Sequence, residues 1–411
     1  VAYHFQQAGD ERAVDWLVQA GERANRTYAW QTAGQRFTAA AKLMEHDSTR
    51  ARDRGWLLYR VGRMLRLSRP SAGVEYLQEA EHVGQTIGDP VLAAYALADR
   101  GLTRCWGGEP LRGVEELAAG VAALDRLPAD HLSREPSIAV WIADSLRSNG
   151  QPVPEEVGQP DSSASRNVRR STLGLWMVLV GRHAEGIEMV EACRDELGTR
   201  TQLTEAEAGL FADAYFGLGI GYAELGRSED AKRAFSSARE TYRGYDHHDL
   251  VGTVTLQQLW LVTYPYESSD HARRRWLVDE SEAALSRGSG AHDLGTSPTI
   301  VSSLPLPFLD GAWDEVGQAI DAGRALDVTP FREYAMVVRA WVAWAQGDAE
   351  LAWRPVRQLL PDGVATEFGS IVFGPAVELQ RLAVMLNLDR DDLEQASAWL
   401  TMYERWLDWS G

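Results

Sequence analysis

Between Ala212 and Arg243 the apolar positions recur at helical, not strand, spacing. Tyr215, Leu218, Gly219 and Tyr222 share one face; beyond Leu225-Gly226-Arg227, Ala231, Phe235 and Ala238 share another. The spacing predicts two antiparallel helices joined by a tight turn, their stripes turned toward each other. Gly219 and Ala231 are small where the backbones must approach, and Tyr222 and Phe235 fill the space beside them. A pair of this kind cannot bury its apolar faces alone, so neighbouring pairs are expected on both sides.

The rest of the chain repeats the pattern. Ala13, Leu17 and Ala20, then Ala33, Phe37 and Ala40, keep the spacing of Ala231, Phe235 and Ala238. Asp89-Pro90 starts a helix, since proline fits a first turn. Gly101, Gly108, Gly113, Leu117 and Gly120 then fall at the offsets of Gly219, Gly226, Ala231, Phe235 and Ala238. Gly174, Gly181, Gly186, Val190 and Cys193 do so again, which makes Cys193 a small buried side chain rather than a reactive thiol. This succession of aromatic, Leu-Gly, Tyr, Ala, Phe and Ala resembles a tetratricopeptide repeat. The resemblance implies an all-α, right-handed superhelical solenoid of about eight or nine antiparallel helix pairs at ~34 residues each.

Residues 1–411 are expected to form a single repeat domain, with a helix over 131–147 and a flexible Pro/Gly/Ser-rich insertion at 148–166. The helix that begins at Leu250 should end near Tyr264-Pro265-Tyr266. Pro298, Pro305 and Pro307 should kink or break their helix near Ser303-Leu304. Gly374-Pro375 should break or start the last first-helix, and Asp389-Arg390-Asp391-Asp392 should turn into a final helix ending in Trp406.

Composition narrows the function. A net charge of -18 opposes direct contact with nucleic acid or anionic membranes. Two cysteines, Cys105 and Cys193, do not make a disulfide framework, which points to the cytoplasm. No apolar run is long enough to span a bilayer. Gly217-Leu218-Gly219-Ile220-Gly221 lies inside a predicted helix, so it is a packing feature and not a dinucleotide loop. Asp246-His247-His248-Asp249 suits a helix start, with Asp246 or Asp249 capping, better than a metal site. No catalytic residues, metal or cofactor are expected; the chain is expected not to be an enzyme.

The placement of large side chains is more informative. Inward positions of the first helices carry Trp56, Tyr59, Arg63 and Arg66, then Tyr95, with Trp106 nearby. They continue with Phe216, Phe308, Tyr334, Trp341 and Trp344. Either these rings line a concave groove for a ligand or partner, or they pack neighbouring repeats together.

Both ends carry a further resemblance. His4-Phe5-Gln6-Gln7-Ala8-Gly9-Asp10 with Gln19-Ala20-Gly21-Glu22-Arg23-Ala24, and the closing Ala398-Trp399-Leu400 and Arg405-Trp406-Leu407-Asp408-Trp409-Ser410-Gly411, are similar to the repeat region of large bacterial LuxR-type, maltose-activator-like regulators. Related ATPase-cyclase proteins have similar openings. The resemblance implies a piece of a larger protein, with an ATPase module before the repeats and a helix-turn-helix DNA-binding module after them. The expected function is a sensor that takes an effector small molecule, peptide or protein in its groove; the alternative is a constitutive protein- or peptide-binding scaffold.

Overall fold

The computed structural model describes residues 13–26, 30–66, 68–127, 162–199, 203, 205–287, 304, 307, 308, 310–322 and 331–411. They fall into two units, Val1–Arg169 and Arg170–Gly411. Every regular element among the described residues is helical, as the apolar spacing requires. The expected helix at 131–147, and the expected insertion up to 161, lie outside the described residues, as does the opening His4–Asp10 motif. The last residues of that insertion, from Ser162, belong to a helix instead.

The first unit contains α1 (Ala13–Arg26), α2 (Trp30–Leu43), α3 (Ala51–Leu65), α4 (Pro70–Ile87), α5 (Pro90–Trp106) and α6 (Pro110–Asp125). The border between units falls inside α7 (Ser162–Leu179). The second unit continues with α8 (His183–Gly198), α9 (Glu205–Glu224), α10 (Ser228–Gly244) and α11 (His248–Gln258). After these come α12 (His271–Arg287), α13 (Trp313–Ala322), α14 (Phe331–Ala345), α15 (Ala349–Leu359), α16 (Phe373–Leu388) and α17 (Leu393–Ser410). Antiparallel pairs form from α1 and α2, α3 and α4, α5 and α6, α9 and α10, α11 and α12, α14 and α15, and α16 and α17, and first helices of successive pairs also touch: α3 with α5, α9 with α11, and α14 with α16. Within each unit these touching first helices, on the side expected to face inward, are its inner layer and position the candidate site.

Small residues set the pair geometry. A Cβ on Gly101 would lie 2.6 Å from the Gly113 carbonyl, and one on Gly174 2.9 Å from that of Gly186. Only hydrogen fits between backbones that close. The turns share one device as well. Arg227 N–H reaches back to the Tyr222 carbonyl at 2.8 Å, Arg182 to Met177 at 2.8 Å and Asp348 to Ala343 at 2.9 Å. Such a bond, five residues back, closes a helix when the residue before the donor turns left-handed. Gly226 does so with φ 73, and Asp391 performs the same role before Asp392 with φ 56. Asp89, Asp348 and Asp392 then cap the helices they precede, accepting from Leu92, Leu351 and Gln395 N–H.

Several expectations need correction. His247, not Asp246 or Asp249, occupies the cap position of α11, and it makes no side-chain cap bond; Asp246 is the left-handed residue of the preceding turn. The helix does end at Tyr264-Pro265-Tyr266, as expected, but it is not α-helical throughout. It passes from α11 through a π-helical turn, Leu259–Thr263, into one more helical turn, Tyr264–Tyr266. Pro265 has no N–H to give, so the ladder loosens before it rather than stopping. Leu304 lies in a turn, while Ser303 is outside the described residues. Gly374 and Pro375 stand in the first turn of α16 and start it. The final helix runs past Trp406 to Ser410.

Candidate binding site

In the first unit the inner layer gathers four of the expected residues. On α3, Trp56, Tyr59 and Arg63 follow one stripe; Tyr95 faces them from α5. The Trp56 ring stands edge-on to Tyr59 at 5.5 Å and tilted to Tyr95 at 6.4 Å. Both tyrosines are fully buried, whereas Trp56 is half-buried and borders a cavity of about 240 Å³ with Arg52, Ile87 and Asp89. Beneath the rings lies Asp99, one helical turn beyond Tyr95. It accepts from the Tyr59 hydroxyl and from Arg66, with Arg169 at 3.4 Å and Arg63 at 3.9 Å. Burial alone would raise the Asp99 pKa, but Arg66, Arg63, Arg169 and the Tyr59 hydroxyl together hold it far below the usual carboxylate range. Arg169 also lies over the Tyr95 ring at 4.0 Å.

The second unit has its own cluster. Trp260 of the π turn and Tyr264 just after it stack at 5.8 Å and 20°. Tyr334 of α14 meets Trp260 edge-on at 5.1 Å, and Phe308 meets Tyr264 at 6.0 Å. Tyr334 and Trp341 are seven apart on α14, and Gly374, Glu378 and Arg381 follow at helical spacing on α16, so each set shares a face. A Cβ on Gly374 would lie 2.8 Å from the Tyr334 hydroxyl and 3.3 Å from Oε1 of Glu224, the last residue of α9. Glu224 Oε2 pairs with His183 Nε2 at 2.8 Å. Burial pushes the Glu224 carboxyl up, against the pull of His183. Burial also raises Glu378, with Arg381 and the Trp341 indole N–H opposing. The Tyr334 hydroxyl is held well above its usual pKa by burial and by Glu224, Glu333 and Glu378.

Trp341 and Trp344 sit edge-on at 5.5 Å, both half-buried against the core formed by α14–α17. The Trp344 indole donates to Asp389 at 2.7 Å. Phe216 is half-buried and packs on Phe235 of its own pair at 6.3 Å, and Trp106 is the half-buried last residue of α5. Sequence reasoning missed Asp99, Arg169, Glu224, Trp260, Tyr264 and Glu378. Asp99 was within reach, four residues after Tyr95 on the same helical face. Glu224 was not, because its partners come from α8, α14 and α16.

No group of metal-capable side chains occurs among the described residues, and no described helix is long and apolar enough to cross a membrane. Cys105 and Cys193 are buried and form no disulfide, and burial pushes the Cys193 thiol up to about 11. The glycine run of α9 is a packing feature: a Cβ on Gly219 would meet the Phe235 ring at 2.6 Å.

No protein-family model and no curated protein matches the sequence. Among solved structures, the chain is similar to a Rap protein complexed with Competence and Sporulation Factor. The TM-score is 0.58 at 12% identity, over 97% of this chain and 98% of that one. The apo form of RapI aligns over 96% and 97% at 12% identity, with a TM-score of 0.48. Cut9, from the APC/C hetero-tetramer Cut9-Hcn1, aligns over 96% and 87% at 10% identity, with a TM-score of 0.34. The first of these likenesses, with the repeated helix pairs, makes the chain an all-α solenoid of the tetratricopeptide type.

Proposed function

We propose that this chain is a non-catalytic binding module whose inner helical layer grips a peptide or a segment of a partner protein. The observation that carries the reading is the state of the inner aromatic rings. Trp56, Tyr264, Trp341 and Trp344 crowd the inner layer yet stay only half-buried. Trp and Tyr at such rims supply contact area at little entropic cost. The full-length fold likeness to a protein solved in complex with a second factor is compatible with this use of the fold. The resemblance of both ends to LuxR-type regulators extends the reading: the two units act as one repeat domain and sense an effector for attached ATPase and DNA-binding modules in the cytoplasm.

The test is selection from a randomised peptide library, followed by titration of the selected peptides against tryptophan fluorescence. Saturable micromolar binding that Trp56→Ala or Trp341→Ala weakens at least about tenfold is expected for interface aromatics. A library that enriches nothing would overturn the binding reading. Bound peptide that leaves ATP turnover of the parent protein unchanged would make the module a constitutive scaffold.

A further inference from the structure

The second unit buries polar atoms that nothing among the described residues satisfies. The Tyr334 hydroxyl, on a residue only 7% exposed, has no hydrogen-bond partner, and neither does Glu224 Oε1 on a side chain 5% exposed. Both pack against the same glycine, Gly374: a Cβ there would lie 2.8 Å from the hydroxyl and 3.3 Å from the carboxylate oxygen, so the two atoms approach one point. An unpaired buried hydroxyl or carboxylate oxygen costs free energy, and native interiors rarely keep one without a use. An ionised carboxylate oxygen only accepts, and the hydroxyl can accept as well as donate, so one donor group can serve both atoms.

Its surroundings specify the donor further. Glu224, Glu333 and Glu378 all bear electrostatically on the Tyr334 hydroxyl. Trp260 meets the Tyr334 ring edge-on from a π turn, a feature that recurs at functional sites, and stacks on Tyr264 just beyond that turn. A π face and a carboxylate both attract a cation. Tyr264, Trp341 and Glu378, beside the two buried groups, are only half-buried.

We infer that this cluster is a socket for a basic side chain, a guanidinium or ammonium carried by a bound peptide, seated between Glu224, Tyr334 and the Trp260–Tyr264 stack. The inference rests on the binding reading above and names the chemistry that the same inner layer selects.

The probes are blocked alanine peptides with one central Arg, Lys, norleucine or Glu, titrated against the whole chain by tryptophan fluorescence. Arg and Lys peptides should bind at least about tenfold tighter than norleucine, with Glu weakest. Glu224→Gln should remove most of that preference, bringing the Arg and Lys peptides to within a few-fold of norleucine measured on the same variant. Should Glu224→Gln fail to fold, Tyr334→Phe carries the test, with a smaller loss in the same direction. Norleucine binding as tightly as Arg, a preference that survives Glu224→Gln, or binding by none of the four peptides would overturn the inference. The randomised library separates the two claims: enrichment without basic residues leaves the binding reading standing and sinks the socket, whereas no enrichment sinks both.

Discussion

Asp213 shows how far a single buried group can be read. It lies on α9 and accepts a hydrogen bond from the Tyr242 hydroxyl of α10, so it ties together the pair around which the repeat pattern is clearest. Burial pushes its pKa up to about 6, against the opposing pull of the Tyr242 hydroxyl. A carboxyl with a raised folded-state pKa stabilises the fold when protonated, below its unfolded value near 4, and that contribution fades as pH rises through about 6. Asp213→Asn keeps the acceptor and removes the charge. The variant should therefore be the more stable protein near pH 8, by on the order of 2–3 kcal/mol, with the gap narrowing below about pH 6 and closed near pH 4. Paired thermal melts near pH 8 and pH 4 check it; a gap independent of pH would contradict the assignment. The two tryptophans given most weight in the sequence, Trp341 and Trp344, divide the alternatives between them. Periodicity placed both on the inward side, but only coordinates reveal that they pack on the core while keeping an open edge.

At the scale of the element, α9 carries three glycines in five residues, and the structure gives each a different reason. A Cβ on Gly219 would meet the Phe235 ring at 2.6 Å, and one on Gly221 would meet Ile187 at 2.8 Å. At Gly217 the nearest atom would be 3.7 Å away, an ordinary contact. Alanine in a helix interior is favoured over glycine by roughly 0.5–1 kcal/mol. Gly217→Ala should gain about that much. Gly219→Ala should instead destabilise by roughly 1–3 kcal/mol, because the ring must move. Denaturant titration of the two variants should give opposite signs, and a gain at Gly219 would contradict the close crossing. The crossing itself was legible in sequence as a small residue at a fixed offset from Phe235. The π turn was not: Tyr264-Pro265-Tyr266 marked where the helix ends, but no local apolar spacing distinguishes a π turn over Leu259–Thr263 from a continuing α-helix.

At the scale of the whole molecule, helical class and pair order followed from local spacing, because in a solenoid each pair contacts mainly its sequence neighbours. The second-unit cluster was hidden for the complementary reason. Glu224, Trp260, Tyr334 and Glu378 come from four segments, and no local pattern connects them. Charge makes an expectation at this scale too. With -18 net, the chain should show no binding to random duplex DNA at physiological salt, since counterion release supplies most such affinity. Micromolar binding in a fluorescence-anisotropy titration would reveal a basic surface that the net charge conceals.

The central claim is that the inner layer of the second unit holds polar groups for a ligand rather than for the fold. Tyr334→Phe addresses it directly, because it deletes one hydroxyl and leaves the ring against Trp260. Without a partner in the free protein, that hydroxyl costs stability, so the variant should melt at the same temperature or higher, by up to about 1–3 kcal/mol in stability. The same variant should bind basic peptides more weakly. A measured loss of stability in the free Tyr334→Phe protein would mean that the hydroxyl already serves the fold, and would contradict the account.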